Sequence, residues 1–281
     1  MLSEEQLRDY QNEGFAIAPG MLSADDVATL ADAMTAAIGE STLGEHDRTR
    51  LEMEPEQAED GTAVRRLYEP CEYYDAFRAC AASDTILDCV EQLVGPNILL
   101  HYSKVNMKPA SVGSVVEWHQ DLCYFPQTNS DLVTVLIYLD NATIENGCLQ
   151  VLPGRHREPP LDHTHDGYFQ GRVTEDVDDS AAVSVEAPAG SVVFMHCLTP
   201  HSSAPNTSGE QRRTFIVGYR AADAFPIHLG LTTAETENFV HLVRGQESST
   251  ARYTLQEFPL PRYKRDFTSL YDLQAQSREG M

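Results

Sequence analysis

Residues 188–196 read Pro-Ala-Gly-Ser-Val-Val-Phe-Met-His, a turn signal followed at once by a short strand-like run. Further turn signals occur at Asn146-Gly147 and Pro153-Gly154, and the Asn-Gly pair predicts a type I′ hairpin turn because both its central residues need positive φ. Strand-like runs recur through the middle of the chain, namely Ile98–Met107, Leu132–Leu139, Cys148–Leu152, Ala182–Glu186, Ser191–Met195 and Thr214–Tyr219. Many short strands at this spacing indicate an antiparallel sandwich, barrel or jelly roll rather than a parallel βαβ sheet.

The chain before these strands has mainly helical signals. Ser3 and Gln6 have the spacing of a capping box, and Ser23 precedes a helix predicted over 24–39, in which apolar residues step by three and four. A third helix is predicted from Ser83 to the stop at Gly95-Pro96. We therefore expect helices packed against one sheet of a β core.

The domain organisation follows from where these signals change. We expect a single domain over 1–281, made of a helical part (about 1–95), a jelly-roll core (about 96–222) and a C-terminal extension (223–281). Within the helical part, the acidic segment 40–62 has few large apolar side chains and is expected to be a mobile surface loop.

Composition excludes several classes of protein. The 281 residues carry a formal charge of −23, which disfavours binding to nucleic acid. The six cysteines form no C-x-x-C pair and are expected to be reduced core thiols. No apolar run approaches the ~20 residues that cross a bilayer, and the acidic N-terminus lacks the features of a signal peptide, so we expect a cytoplasmic protein without a membrane partner.

A His-x-Asp triplet, His119-Gln120-Asp121, ends one strand-like region. Side chains alternate along an extended chain, so the imidazole and the carboxylate project to the same side and can share a metal ion. The triplet alone is a weak signal, because His156-Arg157-Glu158 is a second match. A distant segment strengthens the first one, since it holds His196 and His201 and is followed by Arg212 in a β-rich run. Two histidines and a carboxylate are typical of the facial triad of non-haem Fe(II) oxygenases.

With these motifs combined, the sequence resembles the Fe(II)/2-oxoglutarate-dependent oxygenases of the phytanoyl-CoA dioxygenase family. The resemblance covers about residues 3–222 and rests on Gly95–Asn97, His119–Pro126, Asn146–His156, Gly190–Phe194 and His201–Asn206, followed by Arg212. It implies a mainly β fold with N-terminal helices, in which a double-stranded β-helix (jelly roll, cupin-like) core is packed by helices. It also implies hydroxylation, or a related oxidation, of an unactivated C–H bond in a small molecule. Fe(II), 2-oxoglutarate and O₂ take part, and succinate and CO₂ are released.

The family pattern implies that His119, Asp121 and His201 are the metal ligands. His196 lies five residues before His201 and competes with it, but His201 begins the Ser-Ser-Ala-Pro-Asn segment that matches the family. His196 is then expected to be a core histidine or one that supports a ligand. Related halogenases have a small residue in place of the carboxylate, so Asp121 argues against that activity.

The same resemblance implies which residues bind 2-oxoglutarate. Arg212 would bind its distal carboxylate with support from Ser203, while Lys104 and Arg66 would line the co-substrate pocket. Lys104 departs from the apolar residue expected there in the closest relatives. Strand alternation places Arg212 and Arg213 on opposite faces, and we expect only Arg212 to point into the barrel.

The sequence leaves open the roles of several residues near the predicted metal site. Trp118 and Tyr124 flank the His-x-Asp triplet, and they either line the substrate pocket or belong to the β core. The polar segment 157–179 is expected near the site entrance, as a lid or as a solvated loop.

Two other functions compete with the oxygenase. A cupin-like metal-dependent hydrolase or isomerase leaves Ser203 and Arg212 unexplained, and an intact ligand set argues against a non-catalytic small-molecule-binding jelly roll. The negative net charge slightly disfavours a highly anionic substrate such as a CoA thioester, although the potential in a pocket can differ from that of the surface.

Overall fold

The computed structural model of the protein describes residues 1–111, 115–227, 239–255, 257–262 and 270–279. The helices among them are α1 (Glu4–Glu13), α2 (Ala24–Ile38), α3 (Pro70–Tyr73), α4 (Asp75–Ala81), α5 (Asp84–Val94) and α6 (Leu270–Glu279). The strands are β1 (Phe15–Ala18), β2 (Leu51–Met53), β3 (Val64–Tyr68), β4 (Ile98–Lys108), β5 (Val116–His119), β6 (Leu132–Tyr138), β7 (Leu149–Val151), β8 (Thr164–His165), β9 (Tyr168–Phe169), β10 (Val183–Val185), β11 (Val192–His196), β12 (His201–Ser203), β13 (Arg212–Ala221) and β14 (His241–Arg244).

The predicted helix starts are confirmed. The Ser3 hydroxyl accepts a hydrogen bond from the Gln6 amide N–H, and the Gln6 side chain accepts one from the Ser3 N–H, which completes the capping box of α1. Ser23 and Asp26 form the same arrangement at the start of α2. Each box pairs backbone donors that a helix start otherwise leaves unpaired.

Two antiparallel sheets form the core. The large sheet has the order β1-β11-β6-β13-β4-β3-β2, with β14 also paired to β4, and the small sheet has the order β10-β7-β12-β5. The six predicted runs form β4, β6, β7, β10, β11 and β13, whereas β1, β2, β3 and β14 were not predicted as strands. The arrangement is the mainly antiparallel, helix-packed jelly roll that was expected.

The alternation of side chains along β13 shows that the large sheet packs against the helices on one face and against the small sheet on the other. Phe215 and Val217 belong to the core between the large sheet and the helices, together with Phe77 of α4 and Ile86 of α5. Ile216 instead packs between the two sheets, in a second cluster that includes residues of β7 and β10. The inner face of the large sheet is therefore the surface that the small sheet covers, and the functional side chains lie there.

Two local expectations were wrong. The segment 40–62 is not only a loop, because its residues 51–53 form β2, which pairs with β3 and buries Leu51 and Met53. The Asn146-Gly147 turn is not type I′, since only Gly147 has positive φ and Cys148 N–H reaches back to the Thr143 carbonyl. This turn is wider because it joins β6 to β7, which belong to different sheets.

In the part of the chain that the structure describes, no helix is both long and apolar enough to span a membrane.

Candidate metal and co-substrate site

Two histidines face each other across a strand pair of the small sheet. His119 is the last residue of β5 and His201 the first of β12, and the antiparallel register makes them direct partners. Their ring centroids are 4.0 Å apart, and both side chains are buried. The sheet therefore brings together two imidazoles that are far apart in sequence.

Asp121 completes this pair as a three-residue cluster. It begins the 3-10 turn Asp121–Cys123, which follows β5 after the single residue Gln120. Its Oδ1 lies 3.9 Å from His119 Nε2 and 3.8 Å from His201 Nε2. Within the described ranges this is the single group of three such side chains with mutually close ligand atoms, all within 4.8 Å of one another.

Backbone carbonyls orient both imidazoles. His119 Nδ1 lies 2.7 Å from the Glu117 carbonyl oxygen and His201 Nδ1 lies 3.0 Å from that of Thr199. A carbonyl only accepts, so each Nδ1 carries the proton and each Nε2 keeps its lone pair. Burial lowers the pKa of both histidines, and the neighbouring His201 lowers that of His119 further. Both rings are therefore neutral, the form that binds a metal ion.

A cavity extends from this cluster along the inner face of the large sheet. Arg212, Ser203 and Thr214 line it, together with Leu136 and Ile216. The Arg212 Nε and the Thr214 hydroxyl are buried without a hydrogen-bond partner, and Arg212 forms no salt bridge within the described residues. A buried guanidinium beside unpaired donors fits a carboxylate, which accepts several hydrogen bonds at once.

The two neighbouring arginines do lie on opposite faces. Arg213 turns away from the cavity and forms two hydrogen bonds of 2.7 Å with the Asp140 carboxylate, through its Nε and Nη2. His196 also lies outside the metal cluster, since its ring packs 5.1 Å from that of His156 and 6.0 Å from that of Tyr10. Its Nδ1 accepts a hydrogen bond from the Leu198 N–H.

Arg66 and Lys104 line the same cavity but differ in their partners. Arg66 donates to Asn106 Oδ1 at 2.9 Å and to Glu52 Oε2 at 3.1 Å, so its charge is already compensated. Lys104 has no hydrogen bond or ion pair among the described residues, and its Nζ lies 5.3 Å from the centre of the Tyr102 ring. Burial and the neighbouring Arg66 lower the pKa of Lys104 to about 8.

Of the two aromatic candidates, only Tyr124 contacts a predicted ligand. Its ring meets that of His119 edge-on at 5.5 Å, and its hydroxyl donates to the Gly171 carbonyl. Neither Tyr124 nor Trp118 lines the cavity, and the Trp118 carbonyl accepts from the Val173 N–H. These contacts place Gly171 and Val173, within the segment 157–179, beside residues that adjoin the metal cluster.

Sequence reasoning missed a group of residues that shape this site, namely Thr134, Tyr102, Glu52, Asn106 and Tyr68. Thr134 carried a signal in the sequence, since it is the one polar residue in the otherwise apolar run Leu-Val-Thr-Val-Leu-Ile. Glu52 carried none, because its segment appeared to be a loop.

Comparisons with known proteins agree with this geometry. The model of the family described as phytanoyl-CoA dioxygenase (PhyH) matches residues 10–214. The chain is 35% identical over 231 residues to a probable alpha-ketoglutarate-dependent hypophosphite dioxygenase of Stutzerimonas stutzeri, covering 79% of this chain and 80% of that protein. It is 26% identical to L-proline trans-4-hydroxylase of Streptomyces griseoviridis, covering 78% of this chain and 87% of that one.

Among solved structures, EctD from S. alaskensis with bound Fe superimposes with a TM-score of 0.69 at 20% identity, covering 88% of each chain. The alpha-ketoglutarate-dependent carbocyclase SnoK superimposes with a TM-score of 0.67 at 23% identity, covering 88% of this chain and 94% of that one. These likenesses show that the fold is shared.

Proposed function

This chain belongs to the phytanoyl-CoA dioxygenase family and is an Fe(II)/2-oxoglutarate-dependent dioxygenase, and we propose that His119, Asp121 and His201 bind its iron. The observation that carries this assignment is the cluster of two Nε2 lone pairs and one carboxylate oxygen, all buried and facing one another. The relatives are named as dioxygenases and hydroxylases, so the hydrolase, isomerase and non-catalytic alternatives have no support.

Iron bound here, together with 2-oxoglutarate and O₂, supplies the oxidant for an unactivated bond of the substrate and yields succinate and CO₂. The protein contributes the environment. The carbonyls of Glu117 and Thr199 hold the two imidazoles in the ligating tautomer, and the buried walls exclude water from the reacting groups.

We propose that Arg212 binds the distal carboxylate of 2-oxoglutarate with help from Ser203 and Thr214. The support is physical: a buried guanidinium nitrogen and a buried hydroxyl that have no hydrogen-bond acceptor among the described residues are costly, and a carboxylate can accept from both. Arg66 shapes the wall of this pocket through its fixed pair with Glu52.

We also propose that the small-molecule substrate is a compact anion that pairs with Lys104. Arg66 is paired with Glu52, whereas Lys104 lines the cavity without a hydrogen bond or ion pair among the described residues, so its ammonium can pair with an anionic substrate. A relative with 35% identity is named for hypophosphite, which is a compact anion. The cavity is thus lined mainly by positive charge, whereas the protein as a whole is acidic.

The metal assignment is tested by anaerobic equilibrium dialysis of the apoprotein with Fe(II). Replacing His119, Asp121 or His201 with alanine should abolish tight binding of one equivalent, whereas the exposed His165→Ala variant is the matched control. Wild-type affinity in any of the three alanine variants would refute the assignment.

The substrate proposal is tested by measuring succinate formation with hypophosphite, small carboxylates and neutral amino acids. We expect anions to stimulate it, and Lys104→Met to remove that stimulation while 2-oxoglutarate binding in calorimetry is unchanged. If Lys104→Met instead weakens 2-oxoglutarate binding, the lysine serves the co-substrate. Stimulation by neutral compounds alone would contradict an anionic substrate.

A further inference from the structure

The two carboxylate oxygens of Asp121 lie in different surroundings. Oδ1 faces both imidazoles, at 3.9 Å from His119 Nε2 and 3.8 Å from His201 Nε2. Oδ2 lies 2.5 Å from the Thr134 hydroxyl, which belongs to β6 of the opposite sheet. The large sheet therefore holds one oxygen of a residue that the small sheet presents.

The direction of this contact follows from the chemistry of the groups. A carboxylate only accepts, so Thr134 donates its single hydroxyl proton to Asp121. The Thr134 oxygen is then left as an acceptor for the Tyr102 hydroxyl, which lies 3.2 Å away. The hydrogen bonds run in one order, from Tyr102 to Thr134 to Asp121, and each bond in such a chain polarises the next.

The backbone of β13 fixes the position of Tyr102. Gly218 is the cross-strand partner of Tyr102, and a Cβ atom on Gly218 would lie 2.3 Å from the tyrosine Cε1. The Tyr102 ring thus rests on the glycine backbone, and Phe125 stacks on it with centroids 5.1 Å apart and planes at 25°. The hydroxyl has little freedom to leave Thr134.

We propose that Tyr102 and Thr134 are positioning residues that make Asp121 bind the metal through Oδ1 alone. This inference rests on the proposed iron ligands. Without the hydrogen bond to Oδ2, the carboxylate can turn and engage both oxygens, which takes a coordination position that the co-substrate or dioxygen needs.

The experiment uses Co(II) in place of iron, because its visible absorption reports the coordination number as well as binding. Thr134→Val removes the donor at nearly constant volume and should weaken Co(II) binding by about tenfold or more, the usual effect of losing a hydrogen bond to a ligand. Its absorption spectrum should change in intensity and shape. Thr134→Ser keeps the hydroxyl and should restore both properties, and Tyr102→Phe should give a smaller change in the same direction.

The outcomes separate this inference from the ligand assignment. If Asp121→Ala binds Co(II) as the wild type does, the ligand assignment fails and the inference fails with it. If Asp121→Ala loses Co(II) but Thr134→Val keeps the wild-type affinity and spectrum, only the inference is overturned. If thermal melting shows that Thr134→Val is unfolded, Tyr102→Phe decides, and an unchanged spectrum in that variant overturns the inference.

Discussion

Replacing the two adjacent arginines of β13 with alanine, one at a time, should impair two different properties of the protein. Arg212 lines the cavity and forms no salt bridge with a carboxylate of the described residues. Arg213 lies on the other face and pairs with Asp140. We expect Arg212→Ala to impair 2-oxoglutarate binding and Arg213→Ala to impair stability.

The size of each effect follows from burial. Truncating one partner of a buried, hydrogen-bonded charge pair costs about 2–5 kcal/mol, much of it from the charge left behind. At about 1.4 kcal/mol per factor of ten, Arg212→Ala should weaken 2-oxoglutarate binding by roughly thirty-fold or more. Arg213→Ala loses a pair that solvent partly reaches, so its free energy of unfolding should fall by about 1–2 kcal/mol.

The assay is calorimetric titration of the Fe(II)-loaded protein with 2-oxoglutarate in the absence of O₂, so that the co-substrate is not consumed. Urea unfolding of each apoprotein gives the stability in parallel. Arg213→Ala is the matched control, because it removes the same charge one residue away.

Two results would refute this reasoning. If Arg213→Ala weakens 2-oxoglutarate binding and Arg212→Ala does not, the functional face of β13 is the opposite one. If neither variant changes the affinity by more than about threefold, which is below 1 kcal/mol, the distal carboxylate binds elsewhere.

Three further predictions concern the metal, the substrate and the neighbouring loop. Asp121→Ala should abolish succinate formation at all Fe(II) concentrations in the micromolar range, because one of the three proposed protein ligands is lost; activity measured against added Fe(II) checks this, and full activity would contradict it. Since the pKa of Lys104 is about 8, its ammonium is present below that pH, and the KM of an anionic substrate should rise about tenfold per pH unit above it. The KM of Lys104→Met should not show this rise, and a wild-type KM independent of pH from 7 to 10 would argue against the pairing. Tyr124→Phe loses the hydrogen bond to the Gly171 carbonyl, so amide hydrogen exchange should accelerate in the segment 157–179, which is expected to be either a lid or a solvated loop. In the wild type, a lid should show slower amide hydrogen exchange when substrate is bound. If substrate does not slow exchange there, the segment is a loop and not a lid.

Much of the fold was predictable because its signals are local. The capping boxes at Ser3 and Ser23 need only residues three apart, and strand runs between turn residues need only a few. The strand β2 was missed because a three-residue strand within an acidic segment has no local signature, and its stability depends on pairing with the distant β3 and on burial of Leu51 and Met53.

For the candidate site, too, local features followed from the sequence and long-range contacts did not. By itself the sequence determined that His119 and Asp121 project together, since they are two residues apart on extended chain, and that Arg212 and Arg213 face opposite sides. Only the tertiary structure decided that His201 rather than His196 meets them, that Thr134 holds Asp121, and that Lys104 has no hydrogen bond or ion pair among the described residues. The physical reason is range: side-chain alternation is a property of a few consecutive peptide units, whereas the register of β5 against β12, and of one sheet over the other, depends on packing between segments some eighty residues apart.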